Sequence, residues 1–236
     1  MKLSIGLENG FEGRSIAWAL DYPGCFSYGK DGSEAIVAIP QAVLSYQAWL
    51  DSHTADSWLK DLSDFDISLV ETWQFYEIDE FYNPVEHGNG VNAWFRHDWK
   101  PLTALDARRG IQLLSWGRED LLALLAAIPP QKLDEPVPGE RWTRRGILAH
   151  VATIQWWLAD RLGKAGLSRT QLPKDPFERM MVTSTMLEQA INDLAGEELV
   201  LGKDGEFWSP HKLLRRATWH VRDHFEHIHK LGLSFC

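Results

Sequence analysis

The sequence predicts an α+β domain with the element order β-β-α-β, followed by an all-α, up-down four-helix bundle. Its 236 residues are 44% hydrophobic and 24% charged, which is usual for a globular protein. The formal charge of −9 is unevenly distributed along the chain. Residues 1–97 contain 5 Lys/Arg and 15 Asp/Glu, whereas residues 98–236 contain 19 Lys/Arg and 18 Asp/Glu. Hydrophobic residues follow strand and helix periods in the first part, and helical periods alone in the second. These observations indicate two units of different architecture.

Residues 14–20 are the first predicted strand. Ile16, Trp18 and Leu20 alternate along one side, which is typical of a half-buried strand. The following Asp-Tyr-Pro-Gly sequence predicts a turn, because proline presets φ and glycine accepts a positive φ. Residues 25–28 are then expected to form the returning strand.

A helix is predicted next, with Ser33 as its N-cap. Ile36, Val43 and Leu50 recur at helical spacing, and Pro40 is expected to remove one helical hydrogen bond. Residues 67–78 are rich in β-branched and aromatic side chains and predict a further strand.

Residues 13–51 resemble the small HicB-like fold. Its pattern is a strand, a Leu-Pro-Gly-Cys-type turn, a short strand, and a helix that ends in a Trp-Leu pair. The matching residues are Pro23-Gly24-Cys25-Phe26-Ser27, Ser33-Glu34-Ala35 and Trp49-Leu50. Antitoxins of this family usually add a basic DNA-binding segment, and no such segment follows here. We therefore take the fold alone, without a toxin-neutralising role, from this resemblance.

A linker is predicted between the two units, because residues 83–90 are rich in Asn, Gly and Pro. The expected organisation is a HicB-like domain at residues 1–83, a linker at 84–99 and a helical domain at 100–236. The boundary can lie anywhere from Asn83 to Lys100.

The second unit is predicted to contain four long helices. Thr143, Asp175 and Ser209 are suitable N-caps, and Pro129 and Gly232 are suitable stops. The expected helices are residues 101–128, 143–162, 175–194 and 209–231. Four helices of about 20 residues with no strong strand between them indicate a four-helix bundle.

Two histidines of the fourth helix indicate a metal site. His220 and His224 are four residues apart on its apolar stripe, so both imidazoles point inward and can chelate one ion. His150 lies beside the inner stripe of the second helix. Three imidazoles would leave coordination positions open, as in catalytic sites. The alternative is three core histidines, while His227 and His229 lie off this stripe and are expected to be solvated.

The residues around these histidines resemble the DinB/YfiT-like family of four-helix bundles, over residues 100–231. The matching segments are Trp142-Thr143, Ile147-Leu148-Ala149-His150-Val151, Trp208-Ser209-Pro210, Leu213-Leu214-Arg215-Arg216 and Trp219-His220 with His224. The resemblance implies a divalent metal ion, zinc or nickel, held by His150, His220 and His224. Members with an assigned reaction are metal-dependent thiol transferases or isomerases that use a low-molecular-weight thiol. The resemblance thus implies a thiol cosubstrate.

A metal-dependent enzyme acting on a small-molecule substrate is the function that the sequence favours. A metal-dependent hydrolase and a non-catalytic metal-binding or interaction protein are the alternatives. A His-Glu-x-x-His peptidase is not expected, because Val221 occupies the position of the glutamate. The acidic first unit argues against a nucleic-acid partner. Two cysteines and no membrane-length apolar run favour a cytoplasmic protein without a membrane partner, and a homodimer is an open alternative.

Overall fold

The structure is a computed structural model that describes residues 2–56, 58 and 65–233. It is a mixed α+β structure that divides into two compact units. The first comprises the chain up to Lys100 together with Gly202–Arg215, and the second comprises Pro101–Leu201 and the chain from Arg216 onward. The predicted domain boundaries remain a prediction.

A four-stranded sheet and one helix form the main part of the first unit. The strands and the helix are β1 (Lys2–Phe11), β2 (Arg14–Ala19), β3 (Phe26–Gly29), α1 (Gly32–His53) and β4 (Asp66–Gln74). The strand order is β3-β2-β1-β4, with β1 antiparallel to β2 and parallel to β4. The predicted order β-β-α-β is therefore incomplete, because β1 precedes it. Leu3, Ile5 and Leu7 alternate along this central strand, so its sequence carries the period-two pattern although the prediction begins at Arg14.

Helix α1 begins two residues earlier than a cap at Ser33 indicates. Its N-cap is Asp31, whose carboxylate accepts a hydrogen bond from the Glu34 backbone N–H at 2.9 Å. Pro40 lies inside the helix, as expected. The helix buries one apolar face, formed by Ala35, Ile39, Val43, Tyr46 and Leu50.

The segment after α1 differs from its prediction in two respects. The predicted strand at residues 67–78 is two strands, because the chain leaves β4 at Phe75 and enters a second sheet as β5 (Tyr76–Ile78). Residues expected to form a linker instead pair with β5 as β6 (Pro84–Val85) and β7 (Asn89–Val91). Short strands on either side of a Gly-rich turn carry the same residue types as a linker, so composition alone does not distinguish the two.

The first unit also buries polar groups that bond to each other. The Glu8 carboxylate, which is fully buried, accepts hydrogen bonds from Trp18 Nε1 at 3.2 Å and from the Ala93 backbone N–H at 3.0 Å. Arg215 donates to Asp98 Oδ2 at 2.7 Å and to the Ala93 carbonyl at 2.9 Å. Such groups are stable in a protein interior because each charge has several partners.

The second unit is helical. Its helices are α2 (Ala104–Ala126), α3 (Pro130–Leu133), α4 (Arg144–Arg161), α5 (Pro176–Asp193) and the larger part of α6 (Pro210–Leu233). The four long helices correspond to the four predicted ones, and Thr143 and Asp175 cap α4 and α5 as expected. Strands β8 (Leu201–Lys203) and β9 (Glu206–Trp208) form a hairpin before α6. None of the described helices has both the length and the apolarity that crossing a membrane requires.

Helices α2 and α6 approach each other closely at a glycine. A Cβ atom on Gly117 would lie 2.6 Å from Val221 Cγ1, well inside van der Waals contact. Val221 directly follows His220, so this close contact fixes the rotation of α6 at the position where its histidines point inward.

Candidate metal centre

Three imidazole rings meet inside the second unit. His220 Nε2 lies 3.1 Å from His150 Nε2 and 3.2 Å from His224 Nε2. One ring nitrogen of each residue lies within 4.8 Å of the corresponding atoms of the other two. His220 and His224 are buried and His150 is half-buried. The structure thus brings together the three predicted residues, while their role as metal ligands remains a prediction.

The spacing of the nitrogen atoms suits a shared divalent ion. Zinc–imidazole bonds of about 2.0–2.1 Å at tetrahedral angles place two ligand nitrogens about 3.3–3.4 Å apart. Hydrogen bonding alone explains the cluster poorly, because a neutral imidazole nitrogen carries either one proton or one lone pair. His220 Nε2 can therefore form one full hydrogen bond, although it touches two nitrogens. A cation can accept all three lone pairs, so the residues present fit a metal ion.

Burial keeps all three histidines neutral. Desolvation lowers the pKa of His220 well below the usual histidine value, and the neighbouring His224, His150 and Arg216 lower it further. Burial is also the main cause that lowers the pKa of His224 to about 3. The pKa of His150 is lowered by burial and then by Arg141. Neutral imidazoles are the form that binds a metal, so protons compete weakly for this site near neutral pH.

The two ligand-bearing helices are joined at their ends. Arg144, the first residue of α4, donates to the Leu231 carbonyl in the last turn of α6 at 3.3 Å and to the Lys132 carbonyl at 3.1 Å. His150 and the two histidines of α6 are 70 and 74 residues apart in sequence. The tertiary contact of Arg144 therefore helps to align residues that are distant in the chain.

Three further side chains lie around the cluster. The Trp142 ring stacks on His150 with ring centroids 4.5 Å apart and an interplanar angle of 22°. His227 lies next to His224, with ring centroids 6.0 Å apart, and its Nε2 is 2.9 Å from Glu140 Oε2. His227 was expected to be solvated, but it is half-buried because Glu140 binds it from the loop before α4.

Two arginines lie near the cluster, in addition to the Glu140 carboxylate. Arg216 lies one turn before His220 on α6, is buried, and has its guanidinium carbon 4.3 Å from the Trp219 ring centroid. Arg141 is exposed, and its guanidinium carbon lies 4.9 Å from the Trp142 ring centroid. Both arginines contribute to the lowered pKa values of the histidines, so an anion would be bound favourably near this site.

Comparison with protein families gives one match. Residues 114–199 match the family described as the mycothiol maleylpyruvate isomerase N-terminal domain. This is a DinB/YfiT-like helical family, so the match supports the DinB-like resemblance of the helical region. The matched range contains His150 but neither His220 nor His224. No curated protein and no solved structure matches the chain.

Sequence reasoning did not identify Trp142, Glu140 and His227 as parts of this site. Trp142 belongs to the segments that resemble the DinB/YfiT-like family, but its contact with His150 depends on the direction of both side chains. Glu140 meets His227 across 87 residues of sequence. A pattern within one helix, such as the spacing of His220 and His224, can be read locally, whereas these contacts cannot.

Proposed function

We propose that this protein is a metal-dependent enzyme of the DinB-like class, with thiol-dependent transferase or isomerase chemistry at the His150, His220 and His224 site. The observation that carries the proposal is the convergence of three neutral imidazoles, two buried and one half-buried, at distances suited to one divalent ion. The family match, whose description names a mycothiol-dependent isomerase, supports the thiol. Zinc or nickel is the proposed ion, since both bind imidazole nitrogen.

Each neighbouring residue has a distinct task in this proposal. A bound divalent ion would lower the pKa of a thiol and so supply a nucleophile at neutral pH. His220 and His224 hold the buried side of the site, and half-buried His150 leaves the substrate a side of approach. Arg216 favours an anionic group on a small-molecule substrate. The Glu140–His227 pair lies beside His224 and is the proposed proton donor or acceptor for a substrate at the ion.

The same proposal extends to the architecture. The helical unit is proposed to be a four-helix bundle formed by α2, α4, α5 and α6. The first unit is proposed to be HicB-like, because β2, β3, α1 and β4 follow the order of that fold and α1 contains Trp49-Leu50 near its end. Further proposals are a cytoplasmic location, no nucleic-acid or membrane partner, and a homodimer as an option for the exposed edge of the sheet.

Metal content provides the first test. The protein is purified without a metal-affinity tag, and its zinc and nickel contents are measured by elemental analysis beside those of His150→Ala and His220→Ala. We expect nearly stoichiometric metal in the native protein and loss of metal in both variants. His229→Ala is the matched control, because His229 is exposed on the same helix. Native protein that stays free of metal after incubation with both ions would contradict the proposal.

Turnover provides the second test. Native protein and His220→Ala are assayed with low-molecular-weight thiols and electrophilic carboxylates, after circular dichroism has shown that the variant is folded. Thiol-dependent turnover that disappears in His220→Ala supports the enzyme. Turnover that needs metal but no thiol would favour the hydrolase. Stoichiometric metal with no turnover in either assay would favour the non-catalytic metal-binding protein.

A further inference from the structure

Within the described residues, the outer hydrogen bond that usually orients a metal-binding imidazole is missing from His224 and His150. A metal-binding histidine usually donates its second ring N–H to a carboxylate or carbonyl, which fixes the plane of the ring. His224 Nδ1 is buried, and no residue in the described part of the chain accepts from it. The hydrogen-bonding contact of the His150 ring with the described residues is at Nε2, towards His220. Another interaction must therefore fix the plane of the His150 ring.

The Trp142 indole occupies the position from which it can do so. Its ring lies nearly parallel to the His150 ring, at 4.5 Å and 22°. The torsion that turns a histidine ring about its Cβ–Cγ bond is broad and only weakly restricted by the residue itself. A flat aromatic surface against one face of the ring hinders this rotation. The contact keeps His150 Nε2 directed at the other two histidines.

The first turn of α4 provides the space for this stack. Trp142 precedes the N-cap Thr143, and side chains on a helix point towards its N-terminus, so His150 leans towards Trp142. Gly146 lies midway between them in sequence. A Cβ atom on Gly146 would lie 3.1 Å from Trp142 Cβ and 3.3 Å from Thr143 Oγ1, closer than most such contacts. The absence of a side chain at Gly146 lets Trp142 lie back along the helix.

We infer that Trp142, seated over Gly146, is a positioning residue that holds the His150 ring in its metal-binding orientation by stacking. The inference rests on the proposed metal centre. It assigns Trp142 no contact with the metal, substrate or reacting atoms. Trp142 acts through His150, and the quantities it controls are the affinity for the ion and the geometry of coordination.

Cobalt(II) and zinc are the probes for this role. Cobalt(II) absorption reports coordination geometry, and zinc affinity is measured by competition with a chromophoric chelator. Trp142→Leu keeps an apolar side chain but removes the aromatic face. We expect it to bind zinc about 10-fold or more weakly, the usual result of losing an outer partner, and to alter the cobalt spectrum. Trp142→Phe restores an aromatic face and should restore both properties.

Gly146→Ala separates the positioning role from a merely structural one. Alanine has a higher helix propensity than glycine, which offsets the cost of moving Trp142, so the metal-free variant should unfold close to the native temperature. Its new methyl group displaces Trp142, so zinc affinity should fall and the cobalt spectrum should change. A purely structural role would instead make stability and affinity change in the same direction.

Trp156→Leu is the matched control. Trp156 is on α4, as His150 is, and donates from Nε1 to the Leu167 carbonyl at 2.9 Å. It should retain native zinc affinity and the native cobalt spectrum. Native affinity and an unchanged spectrum in both Trp142→Leu and Gly146→Ala would overturn the inference while the metal centre stands. Native protein that binds neither ion would contradict the metal centre itself, and with it the inference.

Discussion

Burial of three uncharged imidazoles makes the stability of the metal-free protein depend on pH. The pKa of His224 is lowered to about 3 in the folded protein, whereas the ordinary histidine value is 6.5. The unfolded chain therefore binds protons that the folded chain does not bind between these values. The stabilising contribution is complete above pH 6.5 and is lost as the pH falls towards the folded value. His220, whose pKa is also lowered by burial, acts in the same direction.

The corresponding prediction concerns chelator-treated protein. Its free energy of unfolding, measured by urea denaturation, should decrease between about pH 7 and about pH 5. His224→Gln, which cannot titrate in this range, should show a smaller decrease. The exposed His229→Ala should follow the native protein. An equal decrease in His224→Gln and the native protein would show that His224 titrates normally.

A second prediction at this scale concerns the buried ion pair of Asp98 and Arg215. Both side chains are almost fully buried, at 0% and 5% exposure. Asp98→Ala should lower the free energy of unfolding by about 3–5 kcal/mol, because it leaves a guanidinium without its main partner. The double variant Asp98→Leu with Arg215→Met should lower the free energy of unfolding much less, because it leaves no unpaired buried charge. Thermal and urea denaturation measure both variants.

The exposed pair of Arg145 and Asp134 is the control for this prediction. The Asp134 side chain is 60% exposed, so Asp134→Ala should change the free energy of unfolding by less than about 1 kcal/mol. Similar decreases in the free energy of unfolding in Asp98→Ala and Asp134→Ala would contradict the prediction that burial of the ion pair determines its contribution.

Single residues also show what sequence alone could provide. The spacing of His220 and His224 and the position of His150 on α4 led to the three residues that the structure brings together. The cap of α1 was assigned to Ser33 because serine is a favoured cap, but Asp31 is equally favoured and lies nearer the end of β3. A choice between two suitable caps depends on where the preceding strand ends, which the local pattern does not give.

At the scale of elements, the cap of α1 leads to a direct comparison. Asp31→Ala should lower the free energy of unfolding by about 1 kcal/mol, because the Glu34 N–H then loses its acceptor. Ser33→Ala should be neutral or slightly stabilising, since residue 33 is inside the helix, where alanine is favoured. Urea denaturation of the two variants measures which residue caps α1. A larger loss in Ser33→Ala would contradict the cap at Asp31.

Helices were predicted better than strands, and the reason is physical. An amphipathic helix carries its pattern within one segment, so α2, α4, α5 and α6 were all found from periodicity and caps. Strand β1 is central in its sheet and buries residues on both faces, including Glu8, which needs Trp18 and Ala93 as partners. Leu3, Ile5 and Leu7 alternate along β1, so the local pattern indicates a strand, whereas the buried polar Glu8 and its partner Ala93, 85 residues away, are not evident from the sequence.

At the scale of the whole molecule, the net negative charge is carried by one of the two units. The first unit holds 9 Lys/Arg and 18 Asp/Glu, whereas the second holds 15 of each. The sequence indicated this asymmetry correctly, but not that Gly202–Arg215 belongs to the first unit. That membership arises from contacts such as Glu206 with Asn92 and Arg215 with Asp98, which join residues more than 100 positions apart.

The discontinuous first unit predicts how fragments will behave. A fragment that ends at Lys100 lacks Arg215, so Asp98 has no guanidinium partner in the interior, and we expect no cooperative thermal transition. Joining Gly202–Arg215 to this fragment through a flexible linker should restore stability. Circular dichroism melts and amide dispersion in NMR spectra measure the difference. A well-dispersed spectrum of the shorter fragment would show that residues 202–215 are dispensable.

The sequence separation of 70 residues between His150 and His220 also affects the order in which contacts form during folding. Contacts between distant residues form late, because closing a long loop loses chain entropy before the contact stabilises it. The pair on α6 can form as soon as that helix does, but the third nitrogen arrives only when α4 packs against it. When cobalt(II) is present during refolding, its final absorption spectrum should therefore appear after the circular dichroism signal of the helices. The delay between the two signals would measure how long α4 and α6 take to pack against each other.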